Sequence, residues 1–284
     1  MDVASGLLAA LVALSTPYQG KVAVYATDLT SGREVALNAD TPVPTASVIK
    51  LAILFEALKQ VQEGRVHFTD VLTMTKPDQV AGSGVLSLFD TPMRLTLKDA
   101  LTMMIATSDN TGTNLVIDHL GIADVDSRIT WMGLKDTWLY KKVFMPPIGP
   151  MPADQKQFGL GKTTAREMAA IMTRFATCNL NAPGSTAPSP PSADDRALCD
   201  VAVDMLKHQT DGNSVPRYLT GVAVANKTGS LDDVRNDVAI VYAKNGPIVI
   251  SAFTYANVDQ SWTPDNAGAL LIGKMAKTIV DTWN

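Results

Sequence analysis

Three short motifs hold the residue types that acyl-transfer chemistry needs. Ser47-Val48-Ile49-Lys50 sets a hydroxyl and an amine three residues apart, which on a helix puts both on one face. A serine hydroxyl is a weak nucleophile until a base takes its proton. Lys50 can be that base if burial lowers its pKa enough to leave part of the population neutral. Ser108-Asp109-Asn110 adds a second hydroxyl, a carboxylate and an amide, and Lys227-Thr228-Gly229 sets a cation and a hydroxyl where a substrate carboxylate could be clamped. Each motif alone also has a plain structural explanation: an N-cap serine with a solvent-reaching lysine, a run of capping residues before a helix, and a strand ending in a turn.

The elements that must position these residues follow from periodicity. Val3 to Leu14 resembles the apolar core of a signal peptide, but only Met1 and Asp2 precede it, so it is expected to be an amphipathic first helix. A signal peptide is expected to have been removed ahead of it. Lys21 to Ala26 and Glu34 to Leu37, around Thr-Ser-Gly-Arg, predict a β-hairpin. Ser47 to Gln62 is apolar on nearly every side, as a central buried helix would be. Further helices are expected at Leu97 to Thr107, Asn110 to His119, Thr164 to Ala176 and Asp194 to Leu206. Strands are expected at Val222 to Lys227, Asp237 to Tyr242 and Pro247 to Tyr255, and a last helix from Asn266 to Trp283.

Strands at both ends with helices between them predict an α/β (α+β) fold. An antiparallel sheet of about five strands is flanked by N- and C-terminal helices, with an all-helical subdomain inserted. On this reading residues 1–41 and 212–284 form the sheet domain and 42–211 the helical domain, with the site between them.

Composition narrows the function. With 284 residues, 46% hydrophobic and 18% charged, the chain has ample core, and a net charge of −4 argues against a nucleic-acid partner. No apolar run of about 18 residues predicts a membrane span. No CxxC or HExxH spacing predicts a metal site, and no cofactor is expected. Gly161-Lys162-Thr163-Thr164 lacks the glycine that a phosphate loop needs at Lys156. Cys178 and Cys199 flank a Pro-, Ser- and Ala-rich stretch, Asn181 to Ala193. They fit equally a disulfide in an oxidising compartment or two buried thiols.

Taken in this order, the three motifs are the signature set of class A β-lactamases and penicillin-binding proteins, which the chain resembles over nearly its whole length. Thr111-Gly112-Thr113-Asn114-Leu115, Gly82-Ser83-Gly84, Thr163-Thr164 with Met168, and Arg235-Asn236-Asp237 extend the resemblance. The resemblance implies roles. Ser47 attacks the acyl carbonyl and Lys50 takes its proton. Ser108 passes a proton to the leaving nitrogen, and Asn110 holds Lys50 and the substrate amide. Lys227, Thr228 and Gly229, with Ser230 or Arg235, bind the carboxylate, and the N–H groups of Ser47 and Ser230 form the oxyanion hole. The expected partner is a small molecule, a β-lactam or a peptide or ester analogue, met by a monomer that is periplasmic or secreted.

One element of the resemblance is missing. The family's Ω-loop glutamate, which activates the water that deacylates the enzyme, has no counterpart, because no glutamate occurs between Arg94 and Glu167. Val143 or a near neighbour takes its place. Asp154 is the candidate substitute base, and Glu167 is expected on a solvated helix face. Slow deacylation follows as the expectation. The alternatives are a D-amino-acid peptidase or esterase, or a non-catalytic penicillin-binding or sensor module.

Overall fold

The computed structural model describes residues 3–183 and 191–284. Its centre is a five-stranded antiparallel sheet in the order β2-β1-β10-β9-β8. The strands are β1 (Lys21–Asp28), β2 (Glu34–Leu37), β8 (Val224–Leu231), β9 (Val234–Ala243) and β10 (Gly246–Tyr255). The first strand pairs with the last, Lys21 opposite Tyr255 through Asp28 opposite Ile248, so the chain leaves the sheet after β2 and returns at β8. The two-sided burial of β1, β9 and β10 explains their long apolar runs.

Helices α1 (Val3–Ser15) and α9 (Ala267–Trp283) cover one face. Leu7 and Leu11 pack there with Ile272, Met275 and Ile279. The other face shares a core with the helical region. Around α2 (Lys50–Gln62), whose residues from Lys50 to Gln60 are all buried, stand α3 (Leu97–Ala106), α4 (Asn110–Leu120), α5 (Ile122–Trp131), α7 (Ala165–Thr177) and α8 (Ala193–Lys207). Side-chain caps start several of these helices, Thr96 for α3, Asp109 for α4, Thr164 for α7 and Ser192 for α8, each satisfying an otherwise orphaned N–H. A short α6 (Gln155–Phe158) lies beside the small ladder of β3 (Val43–Pro44), β7 (Gly161–Thr163) and β6 (Trp138–Leu139), and β4 (Val71–Met74) pairs with β5 (Met93–Thr96).

Three expectations change in detail. The central helix opens with a 3₁₀ turn, Ala46–Ile49, so Ser47 and Lys50 sit on different helical forms. The eighth strand runs from Val224 to Leu231, so Lys227-Thr228-Gly229 lies inside the strand, because pairing with β9 continues to Leu231 opposite Val234. Helix α5 and the short ladders were not expected from the sequence. Cys178 and Cys199 form a disulfide, with Cα atoms 5.5 Å apart, that joins the end of α7 to α8. Part of the Asn181–Ala193 stretch lies outside the described residues.

Among the described residues no helix is long and apolar enough to cross a membrane. The disulfide closes a loop spanning 21 positions, a constraint worth about 3 kcal/mol through the unfolded chain. Cys199→Ser is therefore expected to lower the thermal midpoint measurably, and the reduced wild-type protein should melt at the variant's temperature. Calorimetry with and without reductant checks both.

Candidate active site

The site is built on the edge strand β8, the 3₁₀ turn and the loop before α4. Ala46 adopts φ 44° and Ser108 φ 56°, left-handed conformations that cost about 1–3 kcal/mol each in residues with a side chain. Both flank or carry a reactive hydroxyl. Two contacts fix the nucleophile segment against the sheet. Asn236 Nδ2 donates to the carbonyls of Pro44 (2.9 Å) and Thr45 (3.1 Å). Gly229 leaves room for the approach: a Cβ there would stand 2.9 Å from Ser47 N and 3.0 Å from Val48 N.

Lys50 is completely buried, and its Nζ lies 2.7 Å from Ser108 O, 3.1 Å from Ser108 Oγ and 3.1 Å from Asn110 Oδ1. Burial, and then the field of Lys227, hold the amine well below the ordinary lysine range, with Asp109 opposing them. Nζ is the donor to all three, the carbonyl oxygens of Ser108 and Asn110 and the Ser108 hydroxyl oxygen. Lys50 is thus wired to Ser108 and Asn110, and none of its hydrogen bonds reaches Ser47.

Asp109 holds the rest of the loop together. Its carboxylate accepts from Val85 N (2.7 Å), Leu86 N (2.8 Å) and Gly112 N (2.8 Å). Asn110 donates through Nδ2 to Ala81 O at 3.0 Å and through its backbone to Ser83 O at 3.0 Å. Gly84, at φ 101°, passes so close that a Cβ would lie 2.1 Å from Asp109 Oδ2. The Gly82-Ser83-Gly84 run is therefore the far wall of the site.

Two clefts meet at Ser47. The first, about 290 Å³, is lined by Ser47, Ser108, Thr228, Gly229, Ser230 and Arg235, so the structure brings the three motifs into one pocket. Lys227 lies fully buried behind it and donates to Thr228 O at 2.8 Å; burial pushes its pKa down to about 8. Arg235 also reaches the pocket, but its donors hold the carbonyls of Leu231, Val234 and Ser261, and Trp262 stacks 4.9 Å from its guanidinium. The second cleft, about 720 Å³, runs past Asn110, Val143, Phe144, Leu160, Leu231 and Trp262 and is mostly apolar.

Val143, which with its near neighbours is expected where the family's glutamate is missing, lines this second cleft. Asn114 fixes it at both backbone groups, accepting from Val143 N at 2.8 Å and donating to Val143 O at 3.0 Å. Asp154 is not brought to either cleft. Its carboxylate accepts from Lys162 Nζ (2.8 Å) and Tyr140 OH (3.1 Å), and Lys162 foremost keeps it below the usual range. Glu167 is not on a solvated face: it accepts from Lys135 N, Asp136 N and Thr137 Oγ1, tying α7 to the turn after α5. Sequence reading named Asn236 and Gly229 but missed their roles in seating the Ser47 segment, and it missed the wall residues Phe144 and Trp262. Among the described residues no cluster of potential metal ligands occurs.

A family model described as "Beta-lactamase enzyme family" matches residues 7–283. Among similar proteins, the regulatory protein BlaB of Streptomyces cacaoi is 24% identical, with 89% of this chain and 90% of its own length covered. A beta-lactamase of Amycolatopsis lactamdurans is 27% identical over 85% of this chain and 74% of its own. The crystal structure of a beta-lactamase from Sphaerobacter thermophilus superposes with a TM-score of 0.82 at 26% identity, covering 98% of this chain and 96% of that one. PBP-A, solved also as a leucine-to-glutamate mutant in an acyl-enzyme complex with penicillin G, gives 0.80 at 24% identity with the same coverage.

Asp109→Ala strands three backbone N–H groups, two of them belonging to the wall loop. It is expected to cost on the order of 4 kcal/mol. Chemical denaturation should show the loss, whereas Asp154→Ala should change stability little.

Proposed function

The chain belongs to the beta-lactamase enzyme family, and from that premise we propose that Ser47 is acylated by β-lactams or related amides and esters and that the acyl-enzyme is released slowly. One observation carries the reading: a fully buried, pKa-lowered Lys50 bonded to Ser108, which lines the same pocket as Ser47.

In this mechanism the Lys50 amine withdraws the Ser47 proton as Oγ attacks the carbonyl. The oxyanion collects at the N–H groups of Ser47 and Ser230, each such donor being worth about 2.7–4 kcal/mol in the transition state. The proton then passes along the existing Lys50–Ser108 contact to the leaving nitrogen. Lys227, Thr228 and Gly229 meet the substrate carboxylate, and Arg235 supports that pocket through its carbonyl bonds.

Deacylation requires a base to activate water on the other face of the ester. Val143 stands in the cleft where that base would act, and Asp154 is tied away by Lys162 and Tyr140. PBP-A, which shares this fold, was captured in its mutant form as a penicillin G acyl-enzyme, and that fits a serine acylated in the same place here. The similarity to BlaB supports a second reading, in which the persistent acyl-enzyme serves as a penicillin-binding sensor. The Cys178–Cys199 bond fits a periplasmic or secreted protein, which we take to be monomeric.

Intact-mass measurement after benzylpenicillin is expected to show a one-equivalent adduct on wild type that persists for minutes or longer, and none on Ser47→Ala. Absence of any adduct with β-lactam and ester probes would overturn the proposal. Val143→Glu is expected to speed loss of the adduct by roughly tenfold or more by supplying a base.

Lys227 should also set a pH limit. Its pKa lies near 8, so its charge is present below that value and lost as pH rises through it. Acylation by a carboxylate-bearing β-lactam should fall between pH 7 and 9, while acylation by an uncharged ester should not. Stopped-flow acylation rates check the difference.

A further inference from the structure

The carboxylate pocket contains a carboxylate of its own. Asp211 follows α8 and lines the same cleft as Ser47, Ser108, Thr228, Ser230 and Arg235. It is held firmly rather than left at the tip of a loose loop. Thr210 N donates to Ala106 O at 2.9 Å, and Gln209 Nε2 donates to Ile105 O at 3.0 Å, anchoring the segment to the end of α3 beside Ser108. Asn213 then fixes one carboxylate oxygen, donating to Oδ1 from its backbone (3.1 Å) and from Nδ2 (2.9 Å). Among the described residues Oδ2 accepts no hydrogen bond.

Asp211 is within electrostatic reach of Lys227, Arg235 and Asp237. It favours the charged forms of Lys227 and Arg235 and disfavours ionisation of Asp237. A substrate carrying only a carboxylate on its leaving side meets Lys227 with Asp211 opposing it. A substrate carrying a carboxylate and a cation there satisfies both, because opposite charges brought out of bulk water attract strongly.

We propose that Asp211 makes the leaving-group half of the cleft a zwitterion subsite, selecting acyl donors whose leaving part bears a cationic group beside its carboxylate, as a basic amino acid residue does. The carboxylate rests on Thr228 and Ser230 in the field of Lys227, and the cation rests on Asp211 Oδ2. This assignment depends on the acylation of Ser47 proposed above.

Two cephalosporins with the same thienylacetyl side chain and the same C4 carboxylate test it, one with a C3′ pyridinium and the other with a neutral C3′ acetoxy group. Acylation rates are followed by intact mass for wild type, Asp211→Asn and Asp211→Ser. The ratio of rates, pyridinium over acetoxy, is expected to fall about tenfold in both variants relative to wild type, equivalent to 1.4 kcal/mol. In wild type the same ratio should shrink as salt is raised. That salt series stands independently if either variant fails to fold. A ratio unchanged by substitution and by salt, with both compounds still acylating Ser47, would overturn the subsite and leave the acylation intact. Failure of both compounds to acylate wild type would instead remove the function on which the subsite rests.

Discussion

A lysine amine sealed from water is the constraint around which the site is arranged. Lys50 has no exposed surface, and burial of an ammonium without a counter-ion is costly. Its three contacts come from Ser108 and Asn110, and the nearby cation Lys227 further disfavours charge. The arrangement disfavours the charged form of an amine held against a hydroxyl in a buried site. It needs scaffolding, which Asp109 provides by gripping the wall loop and Asn236 by gripping the nucleophile segment. The strained conformations of Ala46 and Ser108 sit where those grips are strongest.

The two halves of the cleft differ in physical character. Phe144, Leu160, Leu231 and Trp262 make one cleft apolar, whereas the other gathers hydroxyls with Arg235 and Asp211, and Lys227 lies buried behind it. On the proposed reading, an ester on Ser47 would meet no base from Val143 on this apolar side. Val143 is pinned by Asn114 at both its N–H and its carbonyl, so the backbone geometry of that wall is kept while the side chain offers no base. On the proposed reading, a nucleophile with its base but without a second base separates two steps that a full hydrolase joins.

Much of this was legible in the sequence. The uniform apolarity of Ser47 to Gln62 identified the central helix because burial on all sides leaves no polar face. Terminal strands with helices between them implied the sheet topology, in which β1 lies against β10. The motifs located Ser47, Lys50, Ser108, Asn110 and Lys227 because acyl chemistry restricts the residue types at each place. Other features depend on tertiary contacts that no local pattern encodes. Glu167 reads as a surface helix residue until the turn at Lys135 and Asp136 is folded against it. Asp154 reads as a free acid until Lys162 and Tyr140 close on it. Gly229 and Gly84 read as turn residues, yet each is required by a close approach between segments distant in sequence. The two cysteines could not be paired by spacing alone, and only the approach of α7 to α8 decided the matter.

The central claim is that burial and the field of Lys227 lower the Lys50 pKa so that part of its population is a neutral base. It is tested most directly by an NMR titration of the lysine Cε resonances, with Lys50 assigned by its loss in Lys50→Met. The predicted midpoint for Lys50 lies well below the ordinary value of 10.5 and rises toward it when Lys227 is replaced by Met. A wild-type midpoint at or above the ordinary lysine value would contradict the claim.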